Sequence, residues 1–291
     1  MIDVGVALPQ MAVGLDRGRF VEWCAGIDAG PFASISAGER ITFRNLEGIT
    51  ACAAAAVLTS RVRVLANVVV LPWHRSALIA KQLATIDVLS GGRLDVAVGV
   101  GGRSQDYTAL GVTDARRHER LDVAVAELRD LWAGGAAADG GSVGPAPVQP
   151  SGPRVFASAM GPKSLARAAQ WADGVSGFSL LADGAEMTAS CEAALGAWTA
   201  SGRTERPRLV TGSFVALGPD AEATLRDFAY DYLEVFSPAL ARELADLMPL
   251  YTPDALSRAL AAAEAAGCDE FIVVPATSDP SFLESLREVC S

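Results

Sequence analysis

A chain of 291 residues with 51% hydrophobic side chains can fill one large core or two small ones, and α/β barrels of roughly 250 residues are routinely single domains. Its 24 basic and 34 acidic residues leave a net charge of −10, which argues against nucleic acid or an anionic membrane as partners and otherwise serves solubility. Five cysteines (Cys24, Cys52, Cys191, Cys268, Cys290) are odd in number and lack a C-x-x-C pair, so they read as buried thiols of a reduced cytoplasmic protein. With two histidines, His74 and His118, a histidine-built metal centre is not expected. Met1 to Pro9 lacks the basic region of a signal peptide, and no apolar run reaches the roughly 18 residues of a membrane span.

Asp3 to Leu8 reads as a strand ended by Pro9, and Arg19 to Ala29 as a helix with Phe20, Val21, Cys24 and Ile27 on one side. Ser34 to Ser36 is a brief strand, followed by the polar loop Gly38-Glu39-Arg40. Asn45 suits the N-cap of an Ala-rich helix, Leu46 to Leu58. Val62 to Leu71 is an apolar, β-branched strand stopped by Pro72. Ala77, Ala80, Leu83, Ala84, Asp87 and Val88 then recur at helical spacing, and Gly91-Gly92 supplies a left-handed C-cap. Leu94 to Val100 is the next strand, which completes a strand–helix–strand crossover of a parallel sheet.

Ser104 to Leu110 and Arg116 to Leu131 read as helices, and Gly134 to Pro153 as an aperiodic loop that could pass for a domain linker. Arg154 to Ser158 is a fifth strand; Gly161-Pro162-Lys163-Ser164 opens a helix to Ala172, with proline at its first position. Gly174 to Phe178 and Leu209 to Leu217 are further strands, separated by a helix over Ala185 to Ala200. Asp220 suits the cap of a helix to Tyr232, Pro238 to Leu247 an additional helix, and Thr252-Pro253 a third helix start. Phe271 to Val274 is the eighth strand and Ser281 to Val289 the closing helix. Eight alternations predict a (β/α)8 TIM barrel over residues 1–291 as one domain, with short insertions after strands four and seven. A doubly wound open sheet is the alternative. Its dinucleotide fingerprint is missing, because Gly99-Val-Gly101-Gly102-Arg103-Ser104 fails at the sixth position.

In such a barrel the strand ends share one rim. They bring Gln10, Glu39, Arg40, Trp73, His74, Arg75, Arg103, Tyr107 and the stretch Ser158 to Lys163. Gly161 to Lys163 offers a helix start and an ammonium, either a phosphate seat or an ordinary helix start with a surface lysine. His74 is either a proton donor or a structural loop histidine. Glu39-Arg40 either binds substrate or forms an ion pair at the rim. Trp73 and Tyr107 wall a pocket or belong to the core. Lys81 and Lys163 are the only lysines and neither lies in a strand, which disfavours a Schiff-base aldolase. No G-x-S-x-G or paired H-x-H is present, and a barrel with few acid–base groups and apolar strand ends suits chemistry carried by a bound cofactor.

The run Ala80-Lys-Gln-Leu-Ala-Thr-Ile-Asp-Val-Leu-Ser-Gly-Gly-Arg93, then Gly99-Val-Gly101, Tyr107-x-x-Leu-Gly111, Arg120-Leu121 and Leu131-Trp132, resembles the bacterial luciferase-like monooxygenase family. Gly161-Pro-Lys-Ser-Leu-Ala-Arg-Ala-Ala169 and Trp171-Ala-Asp-Gly174 resemble its second signature. The likeness implies a barrel holding reduced FMN or the deazaflavin F420, with F420 slightly favoured, for hydride transfer or monooxygenation of a small organic substrate. A family member that has lost its cofactor is the other reading.

The resemblance also implies a bulge under the ring at about Asn67-Val68, close approach of the ring at Gly99 and Gly101, and a phosphate near Ser158, Ala159, Met160 and Gly161. On this basis Arg103, Tyr107 and Lys163 join the cofactor side, Gln10, Arg40 and Trp73 the substrate side, and His74 and Glu39 are the catalytic candidates. A homodimer is the family's expectation. Two motifs depart from it: Ser158-Ala159 stands where Gly-Gly is common, and His74-Arg75-Ser76 where Arg-His-Pro is common. The stretch between Trp132 and Pro153 looks shortened, which predicts a small lid and an open pocket, and the span Leu233 to Tyr251 is expected to contribute to the lid although its pattern names no ligand.

Overall fold

The computed structural model describes residues 2–290. Met1 and Ser291, part of the expected domain, lie outside the described residues. Eight parallel strands close in chain order into a barrel: β1 (Asp3–Ala7), β2 (Ser34–Ala37), β3 (Arg63–Val70), β4 (Leu94–Gly99), β5 (Arg154–Ala157), β6 (Gly174–Ser176), β7 (Arg208–Val215) and β8 (Glu270–Pro275). Around them run α1 (Arg17–Ala29), α2 (Gly48–Leu58), α3 (Ser76–Ser90), α4 (Ser104–Ala109), α5 (Arg117–Trp132) and α6 (Pro162–Ala168). They continue with α7 (Gly184–Ala200), α8 (Ala221–Leu233), α9 (Pro238–Asp246), α10 (Pro253–Ala265) and α11 (Phe282–Val289). β1 pairs with β8, which closes the ring and removes the open-sheet alternative. The additional helices fall after β4 and β7, as expected.

Side chains alternate across a strand, so residues two apart share a face. Inside the barrel this produces layers. At the strand starts, Asp95 accepts hydrogen bonds from Arg154 at 2.9 and 2.7 Å and from Arg63, while Arg208 donates to Asp3 and Glu270 at 3.0 Å each. Ser34 adds a hydroxyl bond to Glu270. One step further along, Ala7, Leu65, Ala97, Phe156, Val210 and Ile272 form an apolar cluster of their own. The floor is thus ionic and the middle apolar, which leaves the strand C-termini as the end where a ligand can enter. Outside, small residues of α2 (Ala51, Ala55, Ala56) are buried, and of the α3 face expected from spacing Ala80, Leu83, Ala84 and Asp87 are buried while Ala77 and Val88 are exposed, their places taken by Ile79 and Ile86.

Three local expectations are corrected. Helix α2 starts at Gly48 and is capped by Glu47, whose carboxylate accepts from Ile49 N–H at 2.9 Å and Thr50 N–H at 2.7 Å. Asn45 instead donates to the Leu46 carbonyl. A carboxylate presents two acceptor oxygens to two free N–H groups, which an amide cannot match. Asp220 precedes α8 with φ of 56° and makes no side-chain cap bond.

The third concerns the loop from Gly134 to Pro153. Val148 N–H and the Gln149 amide bond Asp87 at 2.7 and 2.8 Å, and Gln149 Nε2 also reaches the Leu94 carbonyl at 2.6 Å. The loop therefore packs where α3 hands over to β4, at the opposite end from the rim. Its shortness has no bearing on a lid.

Candidate active site

The rim is built outward from a bulge in β3. Asn67 pairs with Ala97 and Val69 with Val98, so Val68 is the extra residue, at the expected position. The Asn67-Val68 peptide is cis. Gly38, at the end of β2, lies so close that an added Cβ would stand 2.2 Å from the Asn67 carbonyl oxygen. Opposite, a Cβ on Gly99 would come within 3.0 Å of Val68 Cγ1 and 3.1 Å of Ser158 Cβ. Three strand ends thus bring Val68, Gly99 and Ser158 together. Gly101 has φ of +64°, and its missing side chain is excluded by Val70 at 3.0 Å.

Glu39 follows Gly38 directly, and that tight packing aims it inward. Its Oε1 lies 2.8 Å from His74 Nε2, and its Oε2 accepts Val70 N–H at 2.7 Å. The carboxylate side chain is 3% exposed and the imidazole 21%, so a buried acid holds a ring that reaches solvent. Glu39 therefore partners His74. Gln10 donates to the Gly38 carbonyl at 2.5 Å, and Ser176 on β6 donates to Asn67 Oδ1 at 3.0 Å across the barrel. Trp73 and Tyr107 pack edge-on at 5.7 Å and are buried; the tyrosine hydroxyl donates to the Val100 carbonyl at 2.6 Å. Burial pushes the Tyr107 phenol up.

After β5, Ala159 is buried, whereas Met160 is 83% exposed and Lys163 is exposed. Ser158 N–H is committed to the Val98 carbonyl at 2.8 Å, and Gly161 N–H to Ser164 Oγ at 3.0 Å. Pro162 has no N–H. Two of the backbone donors expected to seat a phosphate are thus engaged within the protein.

The cover over the rim comes from the excursion after β7. Tyr232 at the end of α8 accepts from Arg40 Nη1 at 3.4 Å, and Asp231 pairs with Arg44 at 2.9 Å. Arg40 stacks 3.6 Å over Phe43 and 5.0 Å from Tyr232; Arg103 lies 4.8 Å from Tyr232 and 5.1 Å from Phe236. The segment from β7 reaches the loops after β2 and β4, so the mouth is roofed and the expected open pocket is not what the chain forms. Phe43, Asp106, Ser176 and Tyr232 enter the site without having been singled out in the sequence, whereas Phe236 falls within the span 233–251 expected to contribute to a lid. Asp106 is the one with a local signal, one helical turn beyond Arg103 on α4.

Gln10 Oε1, Arg40 Nε, Asn45 Oδ1, Trp73 Nε1, Arg103 Nε and Nη2, and Asp106 Oδ2 are buried without a hydrogen-bond partner. All lie in the segments that follow the first four strands, Asp106 on α4 and the rest before their helices; Trp198 Nε1 on α7 is a further such atom away from them. Buried polar atoms are ordinarily satisfied, so their concentration at one rim marks a surface made for a polar ligand. Among the described residues, no cluster of three or more His, Cys, Asp or Glu is placed to hold a metal ion, and no helix is long and apolar enough to cross a membrane. A cleft of about 170 Å³ runs from Ala159 and Met160 in the loop after β5 along α7 and β6–β7 to Cys191 and Cys268, which stand 3.4 Å apart.

A closed (β/α)8 barrel with a bulged third strand and an acid–imidazole pair at its C-terminal rim defines the class. The chain belongs to the luciferase-like monooxygenase family, whose model matches residues 4–274. It is similar to the pyrimidine monooxygenase RutA of Escherichia coli O139:H28 (strain E24377A / ETEC), 32% identical over 142 residues, which is 44% of this chain and 35% of that protein. The match thus spans about a third of the curated relative's length. Among solved structures, an F420-dependent secondary alcohol dehydrogenase in complex with an F420–acetone adduct superposes with a TM-score of 0.77 at 17% identity, covering 99% of this chain and 98% of that one. The oxygenating constituent of 3,6-diketocamphane monooxygenase from Pseudomonas putida, in complex with FMN, gives 0.75 at 13% identity, covering 99% and 96%. At such identities the likeness establishes the shared fold.

Proposed function

We propose that this chain is an oxidoreductase that binds FMN or F420 at the C-terminal rim of its barrel and acts on a small organic molecule. The observation that carries this is the close approach of Val68, Gly99 and Ser158 at the β3 bulge, with the unpartnered buried polar atoms of Gln10 and Trp73 beside it. A bulge cleared of side chains and flanked by a free acceptor and a free donor fits the face and edge of a polar, planar heterocycle. Both cofactors named among the structural relatives are of that type. Bound there, a flavin or deazaflavin supplies hydride transfer, and a flavin also supplies reaction with O₂.

The chain's own residues position and shield. Glu39 fixes the His74 ring by accepting at Nε2, which holds a proton at a defined place beside the bulge. Tyr232 and Phe236, packed against Arg103, cover part of the rim and limit the access of water to it. Titrating FMN and F420 separately into the purified chain, followed by fluorescence, tests the reading. Saturable binding of one of them below about 100 μM is expected. Binding of neither would leave a family member without its cofactor.

A further inference from the structure

We propose that the substrate is a small organic carboxylate, held through its oxyanion between Arg40 and Arg103; the word substrate rests on the oxidoreductase reading above. Arg40 is 5% exposed, yet its Nε has no partner, and Nε and Nη2 of Arg103 are equally without one. Both guanidinium groups lie within about 5 Å of the same ring, Tyr232, at 5.0 and 4.8 Å, and the Arg103 charge acts directly on Arg40. Burying a charged donor without an acceptor is costly, and two like charges side by side raise that cost.

Of the neighbouring carboxylates, Asp106 offsets part of that cost and the others are engaged elsewhere. Glu39 is held by His74 and Val70 N–H, Asp231 by Arg44, and Asp106 Oδ1 accepts both Thr42 N–H at 2.7 Å and the Thr42 hydroxyl at 2.5 Å. Two cations facing the Asp106 charge leave one positive charge uncompensated. Burial first, and then the charge of Arg103, push the Arg40 guanidinium down to about 10, the direction expected of a cation lacking its counter-ion.

The aromatic faces of Phe43, Tyr232 and Phe236 partly substitute for an anion through cation–π contacts. They also provide flat apolar walls for the body of an organic acid. Planar guanidinium forks match a carboxylate with paired N–H bonds. The site adjoins the Glu39–His74 pair through the chain itself, since Glu39 and Arg40 are consecutive. The family resemblance implies a cofactor phosphate after β5 instead, where Ser158 and Gly161 N–H are engaged within the protein and Lys163 is exposed. Arg103 is thereby moved from the cofactor side, where the sequence placed it, to the substrate side.

Benzoate is a suitable probe. It would be titrated by calorimetry into the full chain, wild type and the variants Arg40→Gln, Arg103→Gln and Arg40→Lys, with melting curves confirming that each folds. Saturable binding by the wild type is expected, weakened at least tenfold by either glutamine variant and partly restored by Arg40→Lys. In parallel, FMN is compared with riboflavin, or F420 with its phosphate-free core, and the affinity ratio of each pair is expected to stay within twofold in every variant. Absence of saturable benzoate binding, or benzoate affinity unchanged in both glutamine variants, would overturn the proposal. So would selective loss of the phosphorylated cofactor, because the arginines would then serve its phosphate. Arginine-dependent benzoate binding by a chain that takes up neither cofactor would uphold the carboxylate site while removing the oxidoreductase reading.

Discussion

Replacing Asp95 by alanine is expected to destabilise the folded barrel by about 2–3 kcal/mol. The side chain is 5% exposed and accepts from both guanidinium groups that close the barrel floor, Arg63 from β3 and Arg154 from β5. Removing it leaves two cations facing one another across β4, without the acceptors that organise them. Loss of one partner of a fully buried pair costs roughly 3–5 kcal/mol. Here the arginine side chains are 33% and 40% exposed, so water compensates part of the loss and the lower figure applies. Asp95→Asn keeps one acceptor oxygen and is expected to cost less. Urea unfolding reads this directly: the midpoint should fall with an unchanged slope. An unmoved midpoint in Asp95→Ala would show that the ionic floor contributes nothing to stability.

Gly38→Ala is the second substitution with a large expected effect, and it acts on the site as well as the fold. The added methyl would stand 2.2 Å from the Asn67 carbonyl oxygen and 2.8 Å from Val68 N. Those are backbone atoms of the bulge and cannot swing aside as a flexible side chain would. Overpacking of this kind costs roughly 1–3 kcal/mol. Relief requires the loop after β2 to move away from β3, and that loop carries Glu39 and Arg40. Weaker binding of FMN or F420 is therefore expected together with a lowered urea midpoint, in the same variant. A stable Gly38→Ala protein with unaltered cofactor affinity would mean that the Gly38–Asn67 approach does not set the rim.

The strands were legible because their chemistry is local. Val62 to Leu71 and Leu94 to Val100 are β-branched runs bounded by proline or glycine, and the alternation with Ala-rich helices at 3.6-residue spacing admits few topologies. The bulge at Asn67-Val68 was placed through the family likeness and stands there in the register of β3 against β4.

What escaped was long-range. The span 233–251 was expected to contribute to a lid, but Tyr232 lies 192 residues from Arg40 in sequence and nothing in the pattern of α8 or α9 says which loops they cover. The stretch Gly134 to Pro153 was assigned to the wrong end of the barrel, although an α-to-β connection belongs at the N-terminal face. The ionic floor was readable and was missed: Asp3, Arg63, Asp95, Arg154, Arg208 and Glu270 each occupy the first or second position of a strand. Glu47 capped α2 in place of Asn45 because a carboxylate one residue before the helix reaches two N–H groups.

The central claim is a place: a planar redox ring against the bulge of β3, at the C-terminal ends of β3, β4 and β5. A crystal structure of the chain soaked with FMN or F420 tests it most directly. Ring density in contact with Val68 and beside Gly99 and Ser158 is the predicted result, with Tyr232 or Phe236 displaced to admit it. A ring lodged in the cleft beside Cys191, or at the Asp95 end of the barrel, would contradict it.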